Sequence, residues 1–244
     1  MNNKRFKKIN LEDNLSFKEG KIKGHVIVKD GETGEILTEK DNLVLMRTRV
    51  FVFEHLFKVS PPSSYSCIKN NNRQICLFKI GQGGADVNAA AFNPYTPKFS
   101  DKDLSQPVPF ITVHPDKDSD ATLDSNPSIV TELTNEQKLK YHLPKQNPDG
   151  SVSYYGKIFE PESKGWVIDN NTGEVAYSLS LRIEENEARG YIINEIGTIL
   201  AEPQPNKQNP VTFIADELCS RITFDSESLT SLNKSIEIEY IFYI

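Results

Sequence analysis

The chain has 244 residues, 37% hydrophobic and 25% charged, enough to bury a real core as one large β domain or two small ones. Its 28 basic and 34 acidic residues leave a net charge of −6, which speaks against a broad nucleic-acid surface, because phosphate needs a basic stripe. No apolar run approaches the ~18 residues of a membrane span, and Cys67, Cys76 and Cys219 form neither a disulfide framework nor a CxxC pair, so reduced thiols and maturation in a reducing cytoplasm are expected.

The opening "MNNKRFKK" gathers Lys4, Arg5, Lys7 and Lys8 without the apolar stretch that a signal peptide would add. Residues 1–23 read as a solvated or neighbour-grasping arm, and 24–244 as one domain. "GHVIVKDGETGEILTEKDN" predicts strand, turn and strand, with turn chemistry over Asp30 to Gly34. "VKDGETGEIL" at 28–37 has a near-copy in "VIDNNTGEVA" at 167–176. Asp with Thr-Gly is such good hairpin chemistry that convergence explains the likeness better than duplication.

"DNLVLMRTRVFVFEHLFKVSPP" predicts the one helix. Asp41 would cap it, Leu43, Met46, Val50, Phe53 and Phe57 would form its apolar stripe, and Pro61 and Pro62 end it. Val50 to Phe53 would also suit a strand. "ICLFKIGQGG" predicts a strand running into glycines. From Ala85 to about Pro127 the periodicity fades among Pro94, Pro97, Pro107, Pro109, Pro115 and Pro127. A connection that long predicts an irregular excursion ordered by partners.

"IVTELTNEQKLKYHLP" opens as a strand. "SVSYYGKIFE", "GWVIDNN", "GEVAYSLSLRI", "GYIINEIGTIL" and "RITFDSE" follow as strands. The closing "SIEIEYIFYI" puts Ile236, Ile238, Tyr240, Phe242 and Ile244 on one face and Glu237 and Glu239 on the other. The first set should face a core, and the two glutamates water or a partner. The strand then either completes its own sheet or lends its edge to a neighbour. Nine or ten strands and one helix predict a mainly β fold, an antiparallel β-sandwich with one packed helix.

Candidate chemistry does not assemble. "IGQGGAD" at 80–86 follows a strand, but Asp86 stands where a dinucleotide fingerprint needs its third glycine, and no GK[ST] follows. A tight turn with positive φ is the plainer reading. "HPDKDSDATLD" offers Asp116, Asp118, Asp120 and Asp124 as oxygen donors for calcium, yet Ala121 and Pro127 occupy the Gly and Glu positions of an EF-hand loop. A solvated acidic loop is the better reading. His25, His55, His114 and His142 lack metal-ligand spacing. The acids of "RIEENEARG" read as turn solvation, and Trp166 as a core anchor rather than a sugar platform. No catalytic, cofactor-binding or metal-binding residue is predicted.

The ordered series of short motifs resembles a class of bacteriophage virion proteins from tails, baseplates and neck regions. The segments are Asn42-Leu43-Val44 leading a helix, with Arg47 or Arg49 at the basic position; "IGQG", Ile80 to Gly83; "FSDKDLSQPV" at 99–108; "INEIG", Ile193 to Gly197; Arg221 and Phe224 of an R-x-x-F strand; and the final alternating strand. "LVLMRTR" lacks the glycine expected before the basic residue, and Thr198 replaces a bulky apolar residue. The resemblance implies a structural, cofactor-free protein located in the virion. It would assemble in the host cytoplasm as a homo-oligomer with other virion proteins. A carbohydrate- or receptor-binding β module of a phage tail is the alternative, for which Tyr154, Tyr155 and Trp166 are the aromatic candidates.

Overall fold

Alternating apolar and polar residues draw most of this chain into strands. The computed structural model describes residues 22–57, 73–85, 94–115, 125–159, 165–171, 173–204, 212–228 and 235–243. In chain order the elements are β1 (Lys23–Asp30), β2 (Ile36–Val44), α1 (Met46–Phe57), β3 (Gln74–Gly81), β4 (Pro107–Val108), β5 (Ile111–Val113), β6 (Ile129–Val130), α2 (Asn135–Lys140), β7 (Tyr141–Gln146), β8 (Val152–Ile158), β9 (Trp166–Asp169), β10 (Glu174–Ile183), β11 (Ile192–Gln204), β12 (Thr212–Ser228) and β13 (Ile236–Tyr243). The basic residues of the expected arm, Cys67, the acidic loop Asp116 to Asp124, and Ile244 lie outside the described residues.

The strands join in one curled mixed sheet, ordered β6-β5-β8-β3-β11-β12-β2-β1-β13-β10-β9, with β4 on β3 and β7 on β8. The β5–β6 pair is parallel, and the other described pairs are antiparallel. Long β2 is the joint: it pairs with β1 along its length and meets β12 through Leu43 and Val44. The curl brings both halves onto one core, where Val28, Leu181, Ile238 and Tyr240 meet Phe78, Phe110, Ile196 and Ile222. No described helix is long and apolar enough to cross a membrane.

β13 completes its own sheet. It lies between β1 and β10 and pairs with both over residues 236 to 243. Ile236, Ile238 and Tyr240 are buried, and Phe242 packs against the main core. The opposite face is covered too, since Ile241 and Tyr243 are buried with Ala176. Glu239, expected to face water or a partner, is largely buried in its own sheet, with Lys29 Nζ 3.0 Å from its Oε2.

The two similar hairpins share a turn: Gly34 N donates to Asp30 O and Gly173 N to Asp169 O, with both glycines at positive φ. Their places differ. The first hairpin meets β13 through its leading strand and the second through its trailing strand, which fits convergent turn chemistry.

Three expectations about elements need correction. The helix begins at Met46 rather than Asp41, because 41–44 continues β2. Asp41 there binds His25, with Oδ1 3.0 Å from Nδ1. Asn42 fills the space over Gly24, where a Cβ would stand 1.7 Å from Asn42 Oδ1. Helix α1 is anchored by Thr48, not by exposed Met46: the Thr48 hydroxyl donates to Cys219 O at 2.6 Å. Helix α2 was not expected, although Thr134 and Gln137 form a reciprocal capping box.

Part of the expected excursion, 86–93 and 116–124, lies outside the described residues. In its described part, 94–115, Leu104, Val108, Phe110 and Ile111 are buried against their own chain, and this stretch covers part of the sheet.

Cys76 and Cys219 are free and buried. Burial pushes the Cys76 thiol up to about 12 and the Cys219 thiol up to about 11. Both are protonated at neutral pH and so poorly nucleophilic. Iodoacetamide at pH 8 is expected to leave both unmodified in native protein and to label both in denaturant, as read by peptide mass mapping. Labelling of either in the native state would show that the core opens there.

Candidate functional site: a buried carboxylate–guanidinium cluster

Glu195 lies within the apolar run "IINEIGTIL" and is fully buried. An ionised carboxylate can sit in such a place only when donors replace its water. The β11–β12 ladder is irregular between Ile193 and Glu195, and Glu195 stands opposite Gly81 at the end of β3. Segment 99–106 crosses this face of the sheet. Glu195 Oε1 accepts from Gly83 N at 3.1 Å and Gln106 N at 2.9 Å. Its Oε2 accepts from Ser105 N at 3.2 Å and from Arg221 Nε and Nη2 at 3.1 and 2.6 Å.

Arg221 completes the cluster. Its Nη1 donates to Asp101 Oδ2 at 2.8 Å and its Nη2 to Ser105 Oγ at 2.7 Å. Burial works against the guanidinium charge, but Asp101 and Glu195 more than offset it and hold the Arg221 pKa above its usual value. Beside them Gly84 N donates to Asn194 Oδ1 at 2.6 Å.

The glycines of "IGQGG" thus surround an anion, but it is the chain's own carboxylate. The expected positive φ is absent: among the described glycines only Gly34, Gly150, Gly173 and Gly190 have it. Close approach is the reason for glycine here. A Cβ on Gly84 would come within 2.1 Å of Asn194 O, and one on Gly81 within 2.5 Å of Glu195 Oε1.

Chemically, this arrangement can hold segments of the chain together. Five N–H donors fill the roughly four lone-pair sites of the Glu195 carboxylate. An open cavity of about 370 Å³ adjoins the cluster, lined by Asn42, Leu43, Tyr95, Pro97 and Thr223 as well as Arg221. The guanidinium there is already committed to Glu195, Asp101 and Ser105.

Each contributing segment stands out in the sequence, but no sequence pattern joins them. The signal lay in the two charges themselves: an acid inside "IINEIG" and an arginine opening "RITF" must find partners once their strands are buried.

A second buried pair corrects the reading of "RIEENEARG" as turn solvation. Glu187 and Lys157 each have side chains only 1% exposed, with Nζ 2.9 Å from Oε1. The Tyr141 hydroxyl also donates to Glu187 Oε1, and Glu184 N to its Oε2 at 2.9 Å. Burial first, and the Glu187 charge second, raise the Tyr141 pKa.

Among the described residues no three His, Cys, Asp or Glu side chains gather as a metal site. Trp166 is not a core anchor, being 67% exposed on β9. The aromatic grouping with Tyr154 and Tyr155 does not form either. Tyr154 packs against the main core, and the ring beside Trp166 is Tyr177, at 4.9 Å between centroids. No known protein family, curated protein or solved structure matches this chain.

Proposed function

We propose that the chain is a non-enzymatic structural component of a bacteriophage virion, from the tail, baseplate or neck region. It assembles through repeated contacts between copies and with other virion proteins, without a membrane span and without a nucleic-acid partner. The observation that carries this reading is the meeting of "IGQGG", "FSDKDLSQPV", "INEIG" and Arg221 at one buried cluster. The resemblance rests on short, separated motifs, and the cluster gives four of them a single physical purpose: locking a cover segment onto a sheet. In this reading the two halves of the curled sheet act as a sandwich, and the locked cover makes it a rigid unit for symmetric assembly.

Mass spectrometry of purified particles, followed by cryo-EM, tests the reading. The chain is expected as a stoichiometric component with density in the tail, baseplate or neck. Absence from particles would overturn it. So would turnover of peptidoglycan, polysaccharide or nucleotide that a single carboxylate substitution abolishes.

One observation favours the second reading, a carbohydrate- or receptor-binding module: the exposed Trp166 ring beside Tyr177. A glycan array separates the two, since saccharide binding that Trp166→Ala removes would support the module.

A further inference from the structure

Among the described residues the sheet ends on β9, and none of them pairs with the outer side of this edge's main chain. Ser178 N donates to Gly165 O at 2.7 Å, and the ladder then sets Trp166 opposite Tyr177 and Ile168 opposite Val175. Main-chain groups alternate sides along a strand. Gly165, Val167 and Asp169 therefore turn theirs toward β10, while Trp166 and Ile168 turn theirs outward. The same two residues have exposed side chains, at 67% and 63%. Those side chains continue the core face of the sheet, because Tyr177 pairs with Phe242, which packs against the main core. Proteins usually blunt such an edge with Lys, Pro or a bulge, and Trp166–Asp169 has none of these.

We infer that β9 is a self-pairing edge, joining two copies of this chain antiparallel about a two-fold axis at Val167. One register uses both outward-facing residues at once: Trp166 opposite the second copy's Ile168, and Ile168 opposite the second copy's Trp166. Both are then hydrogen-bonded pairs, which exchange two main-chain bonds each. The same register brings the large apolar side chains together across the junction on one face. Asp169 falls opposite Gly165 of the second copy, so no like charges meet. The edge is thus complementary to itself, as an isologous contact requires. Four residues make a small interface, weak in isolation by comparison with stable complexes. The inference rests on the geometry of this edge and does not depend on the virion reading.

Trp166 is the only tryptophan in the chain, so intrinsic fluorescence reports on this edge directly. Sedimentation velocity and emission of the full chain are measured together from low to high micromolar concentration. A monomer–dimer equilibrium is expected, with emission moving to the blue as dimer forms. Ile168→Lys places a charge on the edge, and Ile168→Pro removes an outward N–H while sparing the ladder to β10. Each should raise the dimer dissociation constant roughly tenfold or more, with the melting temperature of dilute protein unchanged for Ile168→Lys. If Ile168→Pro disturbs folding, the Lys variant decides. A chain that stays monomeric with constant emission would overturn the inference. So would a dimer indifferent to Ile168→Lys, or emission that shifts only on adding an oligosaccharide.

Discussion

Deleting residues 240–244 is expected to leave an insoluble or unfolded chain. The deletion opens a gap inside the sheet rather than trimming an edge: Lys23 to Val26 of β1 and Ala176 to Leu179 of β10 both lose their partners. Packing is lost on both faces, from Tyr240 and Phe242 against the main core and from Ile241 and Tyr243 on the other side. Each fully buried apolar side chain of this size contributes about 1.5–3 kcal/mol, and several together approach the whole margin of a domain, roughly 5–15 kcal/mol. Circular dichroism and the soluble yield measure the outcome. Glu237→Gln, at a half-buried position on the same strand, is the control and should leave folding intact. A truncated chain that remains a folded monomer would show that β1 and β10 can close on each other, and that the central place of β13 contributes little.

The strands rich in β-branched and aromatic residues were legible: β1, β3, β8, β10 and β13 stand where the runs of Val, Ile, Leu, Phe and Tyr put them. What escaped has physical causes. Strands β4 and β5 have two or three residues each, too few for any period to show, whereas β6 stands where "IVTEL" opens as a strand. The end of β2 was hidden because Asp41 and Asn42 are poor β-formers by themselves; they fit only because His25 and Gly24 lie across the ladder. Trp166 was misread because a large aromatic in a strand usually marks the core, and nothing in four residues shows that their strand is the last in its sheet.

The cover segment escaped for a related reason. Its prolines break periodicity, and the donors that fix it, the Ser105 and Gln106 amides, are main-chain groups that no side-chain pattern advertises. A loop can lie buried only if its main-chain groups are satisfied, and here an acid distant in sequence satisfies two of them. The acid was visible in "INEIG", but its destination depended on a pairing between β3 and β11 that spans more than a hundred residues.

That dependence makes Glu195 the position where one substitution should cost most. Glu195→Gln keeps the shape of the side chain but replaces one acceptor oxygen by a donor that faces other donors, and it leaves Arg221 with Asp101 as its one charged partner. Breaking a buried pair from one side costs about 3–5 kcal/mol, and Arg221→Met should fall in the same range, as measured by urea unfolding. The two losses should not add. Each single change strands the other member of the pair, and the double change removes that penalty while still leaving Asp101 without Arg221, so Glu195→Gln with Arg221→Met should cost less than the sum by roughly 0.5–3 kcal/mol. The double variant should still fall short of the parent, because the Gly83, Ser105 and Gln106 amides keep their need for an acceptor. Hydrogen exchange at those three amides should quicken in every variant lacking Glu195, ahead of global unfolding, as the cover lifts from the sheet. Single variants as stable as the parent, with exchange unchanged at these amides, would mean that the cover is held by Leu104 and its apolar neighbours alone and that the cluster locks nothing.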